Sequence, residues 1–302
     1  MISLIWIRLA EFRLFLPTVL RFYEITAVCL CTKEVRIDGM KVEAFLRDLL
    51  VDAGERLRKH HGRVKTVHYK EGAVTNLVTN VDRELEAFIK KRIRKAFPED
   101  SILAEESEIE NRSAPQRWII DPLDGTTNFA HGLPVFSISI GVELHGEIIA
   151  GGVCDPIRGE LFYARKGKGA TLNGRKIRVS RTKKLSRSLL ATGFPYDIHT
   201  NPERSLPYFN AMILQAQGIR RLGSAAIDMC YLSMSRFDGF FEVYLHPWDT
   251  AAGSLILHES GGRITNFEGR PYSIYEKEMV ASNGLIHEDM LKIVQRVKTS
   301  KQ

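Results

Sequence analysis

The residues with most chemistry to offer stand together in Asp121-Pro122-Leu123-Asp124-Gly125-Thr126-Thr127-Asn128. Asp121 and Asp124, carried on a tight turn, can converge on one hard cation, and the backbone carbonyl of Leu123 between them is a further oxygen ligand. Pro122 and Gly125 favour the turn, and Thr126, Thr127 and Asn128 are residues that cap helix N-termini. The amides of Gly125, Thr126 and Thr127 would then lie at the positive end of a helix dipole, where a phosphate oxygen is stabilised. A cation site beside an anion site suits hydrolysis of a phosphate ester. The same letters also spell an ordinary turn with Asp at its first position and Gly at its end, so the acidic pair alone leaves both readings open.

The elements that must position this stretch follow from periodicity. Trp118, Ile119 and Ile120 predict a short buried strand that stops at Asp121. Upstream, Val42, Phe45, Leu46, Leu49, Leu50, Ala53 and Leu57 recur at helical spacing, ending near Gly62, and a second helix carries Leu85, Phe88, Ile89, Ile93 and Phe97 up to Pro98. Thr79 and Asp82 have capping-box spacing at its start. Downstream, Phe136 to Leu144 alternates as a half-buried strand, residues 148–153 and 160–164 read as strands, and Asn173-Gly174 signals a two-residue hairpin. Strands following one another without helices imply an antiparallel sheet. The second half predicts strands at 188–192, 219–222, 238–242, 262–266 and 279–282. Its helices are expected at 202–217, from Gly223 onward, after Trp248, and at 288–297. Glu105-Glu106 reads as loop charge, Asp249 as a first-turn cap, and the small residues Gly223, Ser224, Ala225 and Ala226 as close packing.

Taken whole, Trp118 to Asn128 resembles the signature of the inositol monophosphatase family of magnesium-dependent, lithium-sensitive phosphatases. Trp248-Asp249-Thr250-Ala251-Ala252-Gly253 is similar to a second block of that family. The resemblance covers roughly residues 40–295. It implies an α+β fold, a layered αβαβα sandwich with mixed and antiparallel sheets, usually as a homodimer. It also implies a first metal held by Glu105, Asp121 and the carbonyl of Leu123, and a second held by Asp121, Asp124 and Asp249. A looser third ion would lie near Glu105, making two to three Mg²⁺ per subunit. Thr126, Asp82 and Glu105 take catalytic roles, with Thr126 relaying or orienting the proton of a metal-activated water through Asp82, without a phospho-enzyme. Substrate contacts fall to Asp124, Gly125, Thr126, Gly223, Ser224, Ala225, Glu242 and Asp249. The implied substrate is inositol 1-phosphate, with fructose 1,6-bisphosphate as runner-up among small phosphorylated polyols and sugars. A role in RNA or transcription complexes, as in some bacterial relatives, is the alternative from another class.

At 302 residues the chain can bury a substantial core. Its domain is read as 40–302, in closely packed halves of about 40–185 and 186–302. A net charge of +7 and pI near 9.2 favour anionic ligands. The basic clusters carry no interleaved stacking aromatics, which argues against a nucleic-acid platform. Four cysteines without a disulfide framework suit a reducing cytoplasm. Residues 1–39 are apolar, but Arg8, Glu11, Arg13, Arg21 and Glu24 interrupt every run before it could span a bilayer. They read as an extension particular to this chain or as translation from a start codon too far upstream.

Overall fold

The computed structural model describes residues 41–63, 67–69 and 77–300. The first 39 residues, with Cys29-x-Cys31, and much of the Lys70 to Asp82 stretch lie outside them. The chain divides into compact units Met1–Phe45 and Leu46–Gln302, and the first contributes here only the opening of helix α1, 41–60.

In the larger unit the helices Asn80–Ala96 and His287–Thr299 each bury one apolar face, while Ala225–Ser233 and Pro247–Glu259 are buried on nearly every side. Helix α2, Asn80–Ala96, is capped by the Thr79 hydroxyl, and Asp82 returns the bond to the Thr79 amide, completing the capping box that the spacing anticipates. It buries Leu85, Ile89 and Ile93 and ends just before Pro98.

An eight-stranded sheet is ordered β10-β9-β8-β7-β6-β5-β3-β4. Its strands are β3 Ser101–Ala104, β4 Ser107–Glu110, β5 Gln116–Asp124, β6 Ser137–Leu144, β7 Glu147–Asp155, β8 Glu160–Arg165, β9 Gly169–Leu172 and β10 Arg175–Lys176. All neighbours pair antiparallel except β3 with β5. Asn173 and Gly174 both take positive φ, 49° and 79°, in the β9–β10 hairpin, the left-handed pair a two-residue primed turn needs. A second sheet is ordered β12-β11-β13-β15-β14, from β11 Leu189–Thr192, β12 Gly218–Arg220, β13 Gly239–Val243, β14 Arg263–Thr265 and β15 Glu278–Ser282. Here β11 pairs parallel with both β12 and β13. A short antiparallel pair, β1 Val67–Tyr69 with β2 Leu77–Thr79, leads into α2.

Between the two sheets lie α5, Ala225–Ser233, and α6, Pro247–Glu259. Ala226, Cys230, Ala252 and Ile256 pack on Val153 and Phe162 of the large sheet. Met229, Leu232 and Leu257 pack on Ala191, Phe240 and Met279 of the small one. The outer face of the small sheet, Leu190, Phe241 and Val280, is covered by α4, Leu206–Ile213, and α7, His287–Thr299. Phe240 and Phe241 thus enter opposite layers, the period-2 signature of a strand. The outer face of the large sheet receives α2 against β5, and Leu50 of α1 against Gly152 of β7. Helix, sheet, helix, sheet, helix is the layering that the resemblance implies.

Two expectations need correction. β6 is buried on both faces rather than half-buried. Its alternating small residues are there for α6, not for solvent: a Cβ on Gly141 would come within 2.7 Å of the Ala251 Cβ, and on neighbouring β7 one on Gly151 within 2.9 Å of the Ala252 Cα. The helix expected over 202–217 is a 3₁₀ turn, Pro202–Arg204, followed by the shorter α4. Pro207 forces the break, because its ring admits only the first turn of a new helix.

Candidate active site

Strand β5 runs past its apolar core into the acidic stretch, reaching Asp124 rather than stopping at Ile120. Its ladder with β6 slips here: Asp121 faces Ser139 but Asp124 faces Ser137, so the longer β5 segment bulges. Pro122, which has no N–H for the ladder, sits in that bulge. Asp121 closes it by accepting the Leu123 amide on Oδ1 at 2.9 Å. Gly125 follows at φ 100°, and a Cβ there would crowd the Val135 carbonyl at 3.0 Å and the Gly223 carbonyl at 3.2 Å. Only glycine meets both demands. The helix it opens, α3 Thr126–Ala130, is a single turn, so the dipole argument for anion binding reduces to the first-turn amides, which have no intrahelical acceptor.

Two other elements deliver acids to the same point, and a third supplies donors to Asp124. The parallel register sets Ala104 beside Ile120, so Glu105 emerges next to Asp121, its amide on the Ile120 carbonyl at 3.2 Å. Helix α6, seated on the sheet through Gly141 and Gly151, carries Asp249 in its first turn, where Oδ2 accepts the His246 amide at 2.6 Å. Asp249 therefore caps α6 and still lines the cavity. Helix α5 points its N-terminus at Asp124, whose Oδ2 accepts the Ser224 hydroxyl at 2.6 Å and the Ala226 amide at 2.8 Å. Glu105, Asp124 and Asp249 line one cavity of about 480 Å³, with Gly125, Thr126 and Ser224 beside them. Asp121 lies behind, 2% exposed, within electrostatic reach of all three.

Such a cluster is costly alone. Burial, then Glu105, Asp124 and Asp249, hold the Asp121 carboxyl well above the usual carboxylate range. Burial likewise lifts Asp249, offset by the His246 amide and reinforced by Glu105, Asp124 and Glu242. Asp124 is pushed up to about 6 by burial, against the Ser224, Ala226 and Ala225 hydrogen bonds and Arg221. No cation stands among the leading neighbours of Asp121 or Asp249. Buried carboxylates of one sign need a compensating charge, and a set built from carboxylates and the Leu123 carbonyl suits a hard divalent ion. Among the described residues no three His, Cys, Asp or Glu side chains are grouped closely enough to hold an ion between them.

Beside the acids, Thr126 Oγ1 lies 2.9 Å from Asp82 Oδ1 and 3.0 Å from the Leu123 carbonyl, so its single proton has a choice of acceptors. Asp82 is 1% exposed and held by Thr79 through both amide and hydroxyl. Burial raises its carboxyl, against the Thr79 and Thr126 bonds. Asp82 and Leu123 adjoin the cavity from behind, while Gly223, Ala225 and Glu242 line it. The same cavity is lined by Gly193, Arg221 and Asp228, to which sequence reasoning gave no role. Asp228 reads as one more first-turn acid of α5 and Arg221 as half of a basic pair. Asp228 is 1% exposed, with a buried Oδ1 that has no hydrogen-bond partner.

A model described as the inositol monophosphatase family matches residues 38–299. "Nus factor SuhB" of Vibrio cholerae is 42% identical over 232 residues, 76% of this chain and 87% of that protein. The "Fructose-1,6-bisphosphatase/inositol-1-monophosphatase" of Thermotoga maritima is 41% identical over 249 residues, 82% of this chain and 94% of that one. Among solved structures, the extragenic suppressor protein suhB from Bartonella henselae superimposes with a TM-score of 0.79 at 37% identity, covering 84% of this chain and 98% of its own. The layered fold and these matches agree, and the chain belongs to the inositol monophosphatase family.

Proposed function

We propose that this chain is a Mg²⁺-dependent phosphate monoester hydrolase acting on small polyol phosphates, inositol 1-phosphate first among them. The observation that carries the reading is the convergence of Glu105, Asp124 and Asp249 on one cavity beside the Gly125–Thr126 turn, with Asp121 behind them and within electrostatic reach of all three. Glu105, Asp121, the Leu123 carbonyl, Asp124 and Asp249 would hold two to three Mg²⁺, which supply positive charge at the phosphate and lower the pKa of water. The amides of Gly125 and Thr126 donate to phosphate oxygens. Thr126, with its proton directed at Asp82, leaves a lone pair to accept from the attacking water. Asp82, raised by burial, is a better proton acceptor than an exposed carboxylate. Ser224 and the α5 N-terminus fix Asp124 from behind, and Glu242 meets the ring hydroxyls.

Phosphate release from inositol 1-phosphate, fructose 1,6-bisphosphate and a 3′-phosphorylated adenosine nucleotide, with Mg²⁺, tests this. The reading expects inositol 1-phosphate to be turned over fastest. Fructose 1,6-bisphosphate, supported by the name of the Thermotoga relative, comes second. Release from none of the three would overturn it. The family resemblance also supports Li⁺ inhibition, a homodimer and a cytoplasmic setting. Among the described residues no helix is long and apolar enough to cross a membrane.

A second reading, RNA association, draws on the name borne by the Vibrio relative and on the run from Arg165 to Arg187, rich in Lys and Arg without an acid. Salt-dependent RNA binding by the Asp121→Asn protein would support it, and binding indifferent to salt would count against it.

A further inference from the structure

Gly193 stands one residue beyond the end of β11, and its neighbour across the parallel pair is dictated by register. Leu190, Ala191 and Thr192 face Gly239, Phe240 and Phe241 in turn, and the Thr192 hydroxyl locks the end of the ladder by donating to the Phe241 carbonyl at 2.7 Å. The next residues in step are Gly193 and Glu242. Side chains in register on adjacent strands sit side by side, only about 5 Å apart at their Cα atoms. Glu242 uses that proximity. A Cβ built on Gly193 would overlap the Glu242 carboxylate, carbon and both oxygens, more closely than real Cβ atoms approach anything. Gly193 does not have a positive φ, so its backbone would accept any L residue. What excludes a side chain there is the space Glu242 occupies.

The other groups that sense Glu242 make this seat matter. Asp124, Asp228 and Asp249 are acids that oppose a carboxylate there, and Arg221 attracts it. All of them line the cavity with Gly193. Expelled from above Gly193, the carboxylate, at the end of a flexible side chain, has to shift among these same cavity-lining groups. We propose that Gly193 is a specificity-determining positioning residue for polyol recognition, its absent side chain being the slot that holds the Glu242 carboxylate where ring hydroxyls can donate to it. This rests on the polyol phosphatase reading above. The residue acts only through Glu242 and touches neither phosphate nor cation, so its loss falls on recognition of the ring rather than on ester cleavage.

The test is a double-mutant cycle on selectivity, the ratio of kcat/KM for inositol 1-phosphate to that for p-nitrophenyl phosphate, which has no ring hydroxyls. Gly193→Ala should lower the ratio on the order of tenfold, about the effect of one misplaced hydrogen bond to a charged group. Glu242→Ala should lower it as well, and Gly193→Ala added to Glu242→Ala should change it little further. Glu242→Asp in the Gly193→Ala background, by shortening the side chain, should recover part of the ratio. Thermal unfolding of each variant separates a folding defect, which lowers both substrates together, from this effect. An unchanged ratio in Gly193→Ala, or a full additional loss in the Glu242→Ala background, overturns the assignment while leaving the phosphatase reading intact. A wild type inactive on inositol 1-phosphate but active on p-nitrophenyl phosphate overturns the polyol reading itself, and this assignment with it.

Discussion

Affinity for the divalent ion should depend steeply on pH, with its sign and its least size given by Asp124. In the metal-free fold its carboxyl is raised to about 6, first by burial. A group raised in this way keeps a proton in the folded state, between its unfolded value of 3.8 and about 6, that the unfolded chain has already lost. The metal-free fold therefore loses stability as pH rises through that window, and a cation that needs the ionised carboxylate binds more tightly as pH rises. At about pH 7.5 nearly every Asp124 is ionised, and at about pH 5 roughly one in ten is, so the Mg²⁺ Kd should weaken about tenfold between them, about 1.4 kcal/mol. Asp121 and Asp249, also raised, push the same way. Overall unfolding is the poorer readout, because His287 works against it. That imidazole is pushed down to about 4 by burial and so favours the fold at higher pH. Calorimetric Mg²⁺ titration of the folded protein at the two pH values isolates the binding term. A Kd that is flat, or tighter at the lower pH, would refute the reasoning.

Other perturbations reach different links in the account. Thr126→Ala should lower kcat by about 10² to 10⁴, the range for lost proton-transfer catalysis, with a smaller change in Mg²⁺ affinity; equal losses in both would place Thr126 in binding instead. Gly141→Val drives two methyl groups into Ala251 and should cost about 1–3 kcal/mol in denaturant unfolding, since α6 is held against the sheet there. An unchanged midpoint would show that the helix can retreat. His287 is fully buried between the Thr265 hydroxyl at 3.0 Å and the Ser282 hydroxyl at 2.9 Å, so its stabilising effect is present above its unfolded value of 6.5 and lost as pH falls towards 4. His287→Gln should flatten the stability profile across that window, and an unaltered slope would count against it.

Much of this architecture can be read from local signals. The α2 cap, the Asn173-Gly174 hairpin and the period of β13 are decided by residues within a few positions of one another, which a sequence displays directly. The acids are a different case. Spacing alone paired Asp121 with Asp124; Glu105 and Asp249 joined them only through family resemblance, because a parallel register and a helix packed on glycines bring them there. The same physics hid what was missed. β6 looked half-buried because Ser139 and Gly141 mimic solvent-facing positions, when in truth they make room for α6. Gly193 gave no signal, having an ordinary backbone and no local partner. Its meaning comes from Glu242, far along the chain but adjacent across β11 and β13.

The central claim is that four acids, distant in sequence, work as one cation-dependent centre. Mg²⁺-dependent phosphate release by Asp121→Asn, compared with the wild type at matched protein and ion concentrations, tests it most directly. The substitution removes a charge from the middle of the cluster with little change in volume, and Asp121 is the residue that senses Glu105, Asp124 and Asp249 together. The account predicts a folded protein, at least as stable without metal as the wild type, that has lost most of its turnover at every Mg²⁺ concentration. Turnover and Mg²⁺ dependence equal to those of the wild type would contradict it.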